Sequence, residues 1–150
     1  MEISEEANLI DGYYAIQKIW KDGDKVEISF INDIEVKEFQ NGERYFQRGP
    51  IVYSYEIPHS EKSIKDYELT GFKDYYCFPT NDEYQNLAAK NDNSDFEHVN
   101  NQPDPIDPWY NSKFYLQGNL FNSKNKATQQ AKLIPMGSTV LRRVTFPKSN

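Results

Sequence analysis

Apolar and polar side chains alternate along much of this chain, and the two-residue period predicts strands. The clearest stretch is Arg44 to Ile57, RYFQRGPIVYSYEI. It reads as a strand, a Gly-Pro break and a second strand with Ile51, Tyr53, Tyr55 and Ile57 on one face and Val52, Ser54 and Glu56 on the other. Upstream, Tyr13 to Trp20 and Lys25 to Phe30 alternate about the Asp-Gly turn of KDGD at 21–24, which predicts a hairpin. Ile34 to Phe39 is a third strand before the Asn41-Gly42 turn, so the first part reads as a meander of about five strands. Residues 1–9 read as a frayed start.

From Pro58 to Ser112 the pattern is lost. Asp, Asn, Lys and Pro dominate, and the segment reads as a long, mostly irregular insertion at about 58–112. Asp74 to Phe78 is a candidate short strand. Asp82 to Lys90 is a turn or two of helix about Leu87 to Ala89, and Phe96 to Val99 is a brief pairing segment. Alternation returns at Lys113: Phe114, Leu116, Gly118 and Leu120 interleave with Tyr115, Gln117 and Asn119. Gln129 to Ile134 is a strand, PMGST a turn and Val140 to Phe146 the closing strand. The expectation is a single all-β domain over 1–150, an antiparallel, jelly-roll-like β-sandwich with strands at about 12–57 and 113–147.

Composition narrows the function classes. The chain has 150 residues, enough for one ordinary domain, and 15% are aromatic, so few large side chains can fill a core. A net charge of -6 disfavours a nucleic-acid partner, since phosphate binding needs a basic stripe. Apolar runs are too short to span a bilayer, which excludes a helical membrane protein.

Candidate chemistry is thin. The soft metal ligands Cys77, His59 and His98 are isolated in sequence, so no metal or other cofactor is expected. NDNSDF at 91–96 has an EF-hand-like start, but Phe96 and Gln102 stand where glycine and glutamate are required; a looser Ca²⁺ site on Asp92, Asp95, Asp104 or Asp107 is the alternative to the favoured reading of these acids as solvated loop charges. Neither a nucleophile elbow nor a phosphate-cradling glycine loop occurs, so no catalytic residue is expected. Aromatic planes remain. Trp20, Trp109 and Tyr110, with Asn111 and Asp107 beside the last two, could stack a sugar ring. The competing reading has Trp20 in the core and Trp109-Tyr110 pinning the long loop.

Three stretches carry a resemblance: GYYAIQKIWKDGDKVEISF at 12–30, RYFQRGPIVYSYEI at 44–57 and LIPMGSTVLRRVTFP at 133–147. Together, about half the chain is similar to the β-sandwich that follows the catalytic domain in glycoside hydrolase family 127, the β-L-arabinofuranosidase-like enzymes of gut Bacteroidetes. The resemblance implies a non-catalytic accessory domain that braces a helical (α/α)6 barrel carrying the active site, in a parent enzyme that is periplasmic or secreted if it bears a signal peptide. The alternative is a stand-alone carbohydrate-binding module whose partner is an oligosaccharide. The family's cysteine nucleophile and zinc ligands belong to the barrel. Cys77 matches none of those motifs and receives no catalytic role from the resemblance.

Overall fold

The computed structural model describes residues 8–27, 32–90, 92–93, 95–100 and 112–149, and its elements are β-strands joined by turns and two short 3-10 segments. The chain, read above as one domain, divides into two compact units, Met1–Phe30 and Ile31–Asn150.

In the first unit β1 (Asn8–Ile10) pairs antiparallel with β2 (Tyr13–Ala15). Asp11 and Gly12 both take positive φ, 50° and 83°, as a two-residue type I′ hairpin requires. The expected partner of the Tyr13 strand was Lys25–Phe30, with KDGD between them. That turn does form: Asp24 N–H donates to the Lys21 carbonyl at 3.1 Å and Gly23 sits at φ +86°. Residues 16–20 and 25–27 are nevertheless not strand, and 28–30 lie outside the described residues. The chain holds two Asp-Gly turns, and the first one makes the hairpin. Trp20, expected in the core, is 51% exposed, with the Lys18 ammonium 4.8 Å over its ring.

The second unit is built on one eight-stranded antiparallel sheet. Its path is β3 (Ile34–Glu38), β4 (Arg44–Arg48), β5 (Ile51–Glu56), β11 (Ala127–Pro135), β10 (Phe114–Asn122) and β8 (Leu87–Ala88). β9 (Glu97–Asn100) also pairs with β10, and β12 (Arg142–Arg143) with β5. The central strands are those the alternation predicts. Between β4 and β5 the loop is Gly49-Pro50: glycine takes φ +55°, and Arg48 pairs with Ile51. At the β10–β11 turn the buried Asn122 uses both ends of its amide, donating to Gln129 at 2.9 Å and accepting from Lys124 N–H at 3.0 Å.

The sheet curls on itself. β4 and β9 are four strand steps apart, roughly 19 Å if the sheet were flat. Yet Phe46 on β4 and Phe96, just before β9, have ring centroids 4.4 Å apart. The inner face therefore wraps one cluster formed by Phe46, Tyr53, Leu116, Leu120, Leu133 and Phe146 with Leu87, Ala89 and Ala131. The C-terminal segment bridges the two sides of the curl. Phe146 and Arg44 exchange backbone hydrogen bonds at 2.7 and 2.8 Å; the Ala89 N–H donates to the Pro147 carbonyl at 2.9 Å, and the Ala89 carbonyl accepts from the Ser149 N–H at 2.8 Å. Arg143 fastens this segment, donating to the carbonyls of Thr145 and Tyr84 and lying 5.6 Å over the Phe146 ring. Arg142 donates to the Thr139 carbonyl at 2.6 Å. The result is a half-barrel closed by its own tail, and the all-β expectation holds.

Two parts of the expected insertion are corrected. The Asp74–Phe78 strand forms, as β7 (Lys73–Pro79), but the residues before it are not irregular: β6 (His59–Asp66) pairs with β7 in a long two-stranded hairpin. Leu87–Ala88, expected to be helical, is the strand β8, preceded by a 3-10 turn at Glu83–Asn86. A run buried on both sides shows no period, so Leu-Ala-Ala reads equally as helix or strand. The Phe96–Val99 pairing forms, as β9.

Candidate functional site

The β6–β7 hairpin is the part of the second unit with the most exposed chemistry. Its base is tied to the half-barrel by the Ile57 N–H, which donates to the Leu141 carbonyl at 2.9 Å. Beyond the base, every β6 residue after His59 is exposed. The tip turns at Leu69-Thr70-Gly71, where Phe72 N–H returns to the Leu69 carbonyl at 3.1 Å. One face carries Tyr76 and Phe78, edge to face at 6.1 Å, and they are 57% and 49% exposed. Phe72 (66%) and Leu69 (69%) are still more open. At ~150–250 Å² per ring, Tyr76 and Phe78 present on the order of 200 Å² of aromatic surface on this face, and Tyr75, 46% exposed, lies on the other.

The opposite face gathers polar ligands. The two-residue period puts His59 and Glu61 side by side, and the register sets Cys77 directly across from Glu61. The ligand atoms of these three side chains lie within 4.8 Å of one another. His59 and Cys77, isolated in sequence, are thus neighbours. The Thr70-Gly71 turn marks the hairpin tip, but regular pairing of Asp66 with Lys73 would set Cys77 opposite Lys62; the bulge between Ser63 and Lys65, which no sequence signal gives, shifts it to Glu61.

A second polar group lies on the inner face of the curl. The Tyr53 hydroxyl and His98 Nε2 are buried and have no hydrogen-bond partner among the described residues. Both rings pack on Phe114, at 6.4 and 5.8 Å. Burial holds the His98 imidazole below its ordinary pKa, and the nearby Arg48 guanidinium pushes the same way. The unfolded chain then takes up the proton first, so the folded state loses stability as pH falls below about 6.5 and the loss levels off beneath the folded pKa. The urea midpoint is expected to decline from about pH 7.5 to about pH 5, and His98→Gln is expected to flatten that decline. An unchanged slope in the variant would assign the dependence elsewhere. Glu43 acts lower, because its hydrogen bonds from Thr145 and Asn41 depress its pKa and hold stability above the carboxylate range.

No family model, curated protein or solved structure matches this chain. The sugar-stacking candidates Trp109, Tyr110, Asn111 and Asp107 lie outside the described residues, as does Asp104. Of the other acids considered for calcium, Asp95 is paired with the Lys90 ammonium, which raises that lysine's pKa. The shallow cavity of about 280 Å³ beside it, between Phe96 and Gln130, is lined by the carboxylates of Asp95 and Glu97 and the amides of Gln117, Asn119 and Gln130.

Proposed function

We propose that this chain is a non-catalytic accessory β domain that braces the helical catalytic barrel of a family 127-like glycoside hydrolase. The observation that carries the reading is the β6–β7 hairpin, which exposes aromatic side chains at its faces and tip. Two-stranded hairpins are marginal by themselves in water. One this long and this apolar fits a chain whose hairpin is covered by a partner surface. The resemblance of 12–30, 44–57 and 133–147 to the β domain of those enzymes supplies the kind of partner. The first unit adds to the demand for cover, with Tyr13, Tyr14 and Ile19 at 78%, 76% and 89% exposure.

The test is to mix the purified chain with a family 127-type helical barrel stripped of its β domains, and to read complex formation by light scattering and the melting temperature of the barrel. A one-to-one complex and a raised melting temperature are expected, because binding only the folded barrel stabilises it by mass action. The double variant Tyr76→Lys with Phe78→Lys should abolish both. No complex at micromolar concentrations, together with saturable tryptophan quenching by arabinose oligosaccharides, would replace this reading by a carbohydrate-binding module.

A further inference from the structure

We propose that His59, Glu61 and Cys77 form a zinc site that clips β6 to β7 at the base of the hairpin.

The backbone pattern brings the three side chains together. Thr80 N–H donates to the Pro58 carbonyl at 2.8 Å. Hydrogen-bonded and non-hydrogen-bonded pairs alternate along an antiparallel ladder, so the pairs His59–Pro79 and Glu61–Cys77 fall at non-hydrogen-bonded positions. Pro79, with no N–H to give, suits such a position. Facing side chains are closest there, which is why the Cys77 sulfur reaches the Glu61 carboxylate.

The histidine is oriented for a cation. His59 Nδ1 lies 3.0 Å from the Ile57 carbonyl oxygen. A carbonyl can only accept, so Nδ1 carries the hydrogen and Nε2 carries the lone pair. This backbone partner is the kind that orients metal-binding histidines. The free Nε2 faces Glu61 Oε1 at 3.6 Å. A lone pair opposite a carboxylate oxygen repels unless a proton or a metal stands between them. The neighbouring thiol decides which fits better, since a proton has no use for a third donor.

The donor set selects the metal. Imidazole with thiolate suits zinc, whereas magnesium and calcium take oxygen ligands. Zinc bonds at ~2.0–2.3 Å need ligand atoms a little closer than the present spread, a change that rotation about the side-chain bonds of exposed Glu61 supplies. Binding deprotonates the Cys77 thiol, and its proton leaves to solvent. Three protein donors leave the fourth tetrahedral position to water or to a donor on a bound partner. The clip lies outside the half-barrel core, so it stabilises the hairpin rather than the whole fold.

The experiment is cobalt(II) titration of the full chain, kept reduced with a phosphine, followed by competition with zinc. Cobalt should give a thiolate charge-transfer band that saturates at one metal per chain and disappears when zinc is added. Cys77→Ser should remove the band with an unchanged far-ultraviolet circular dichroism spectrum. His59→Asn should weaken zinc by at least the roughly 10–100-fold typical of losing even an outer partner. Lys62→Gln, on the opposite face of β6, should leave the affinity as it is. Absence of the band at millimolar cobalt, or zinc affinity unaltered by His59→Asn, would overturn the site.

Discussion

Phe46→Ala is expected to destabilise the second unit by about 3–5 kcal/mol, the range for deleting a buried phenylalanine ring. Phe46 is 1% exposed and touches two elements distant in sheet order, Phe96 at 4.4 Å and Phe146 at 6.0 Å. Its removal therefore opens a cavity at the point where the curl and the tail meet. Domains of this kind have only about 5–15 kcal/mol in total, so the variant would stand near the threshold of folding. Urea unfolding gives the magnitude. Hydrogen exchange gives the location: amides of β9 and of the Ala89–Ser149 bridge should lose protection together with β4. Phe39→Ala is the comparison, because that ring is 50% exposed and should cost less than about 1 kcal/mol. A Phe46 effect as small as that of Phe39 would mean that another contact holds the curl.

Gly118→Ala is expected to be the most damaging small substitution. Alanine normally gains about 0.4–1 kcal/mol over glycine by restricting the unfolded chain. Here a methyl would lie 2.5 Å from the Phe96 ring and closer still to the backbone oxygen of Asp95. A backbone oxygen cannot swing aside, so overpacking of about 1–3 kcal/mol or more outweighs the entropic gain. The mechanism also has a signature beyond stability. Phe96 rests on Gly118 and reaches Phe46 from there, so the variant should lose near-ultraviolet circular dichroism from the aromatic cluster while keeping its strand content. Gly137→Ala is the control: a methyl there meets nothing within 4 Å and φ is not in the left-handed region, so the change should stay within about 0.5 kcal/mol of the parent. Equal effects at the two glycines would refute the packing account.

The strands at the centre of the sheet were legible in the sequence because each has one face toward the core. β3, β4, β5, β10 and β11 alternate, and the Gly49-Pro50 break between β4 and β5 is a hairpin in the structure. Legibility failed where burial is symmetric. β8 is buried on both sides and has no period; β6 is exposed on both sides, and HSEKSIKD has none either. Ser54 shows the same limit within a well-predicted strand. It points away from Tyr53 yet is fully buried, with its hydroxyl 3.4 Å from the Ile134 carbonyl.

What the sequence by itself determined is the all-β class, the central strands and their inward faces, because alternation is a local consequence of the strand pleat. It also supplied the KDGD turn, but the hairpin of the first unit forms at Asp11-Gly12 instead. Only the tertiary structure decided that the sheet closes on Phe46 and Phe96, that the tail bridges Arg44 to Ala89, and that His59, Glu61 and Cys77 share one face. The first two depend on strand register between segments far apart along the chain, and the third on a one-residue bulge inside a single hairpin. Register is set by turn geometry and by which faces are buried together, and neither is written in any one segment alone.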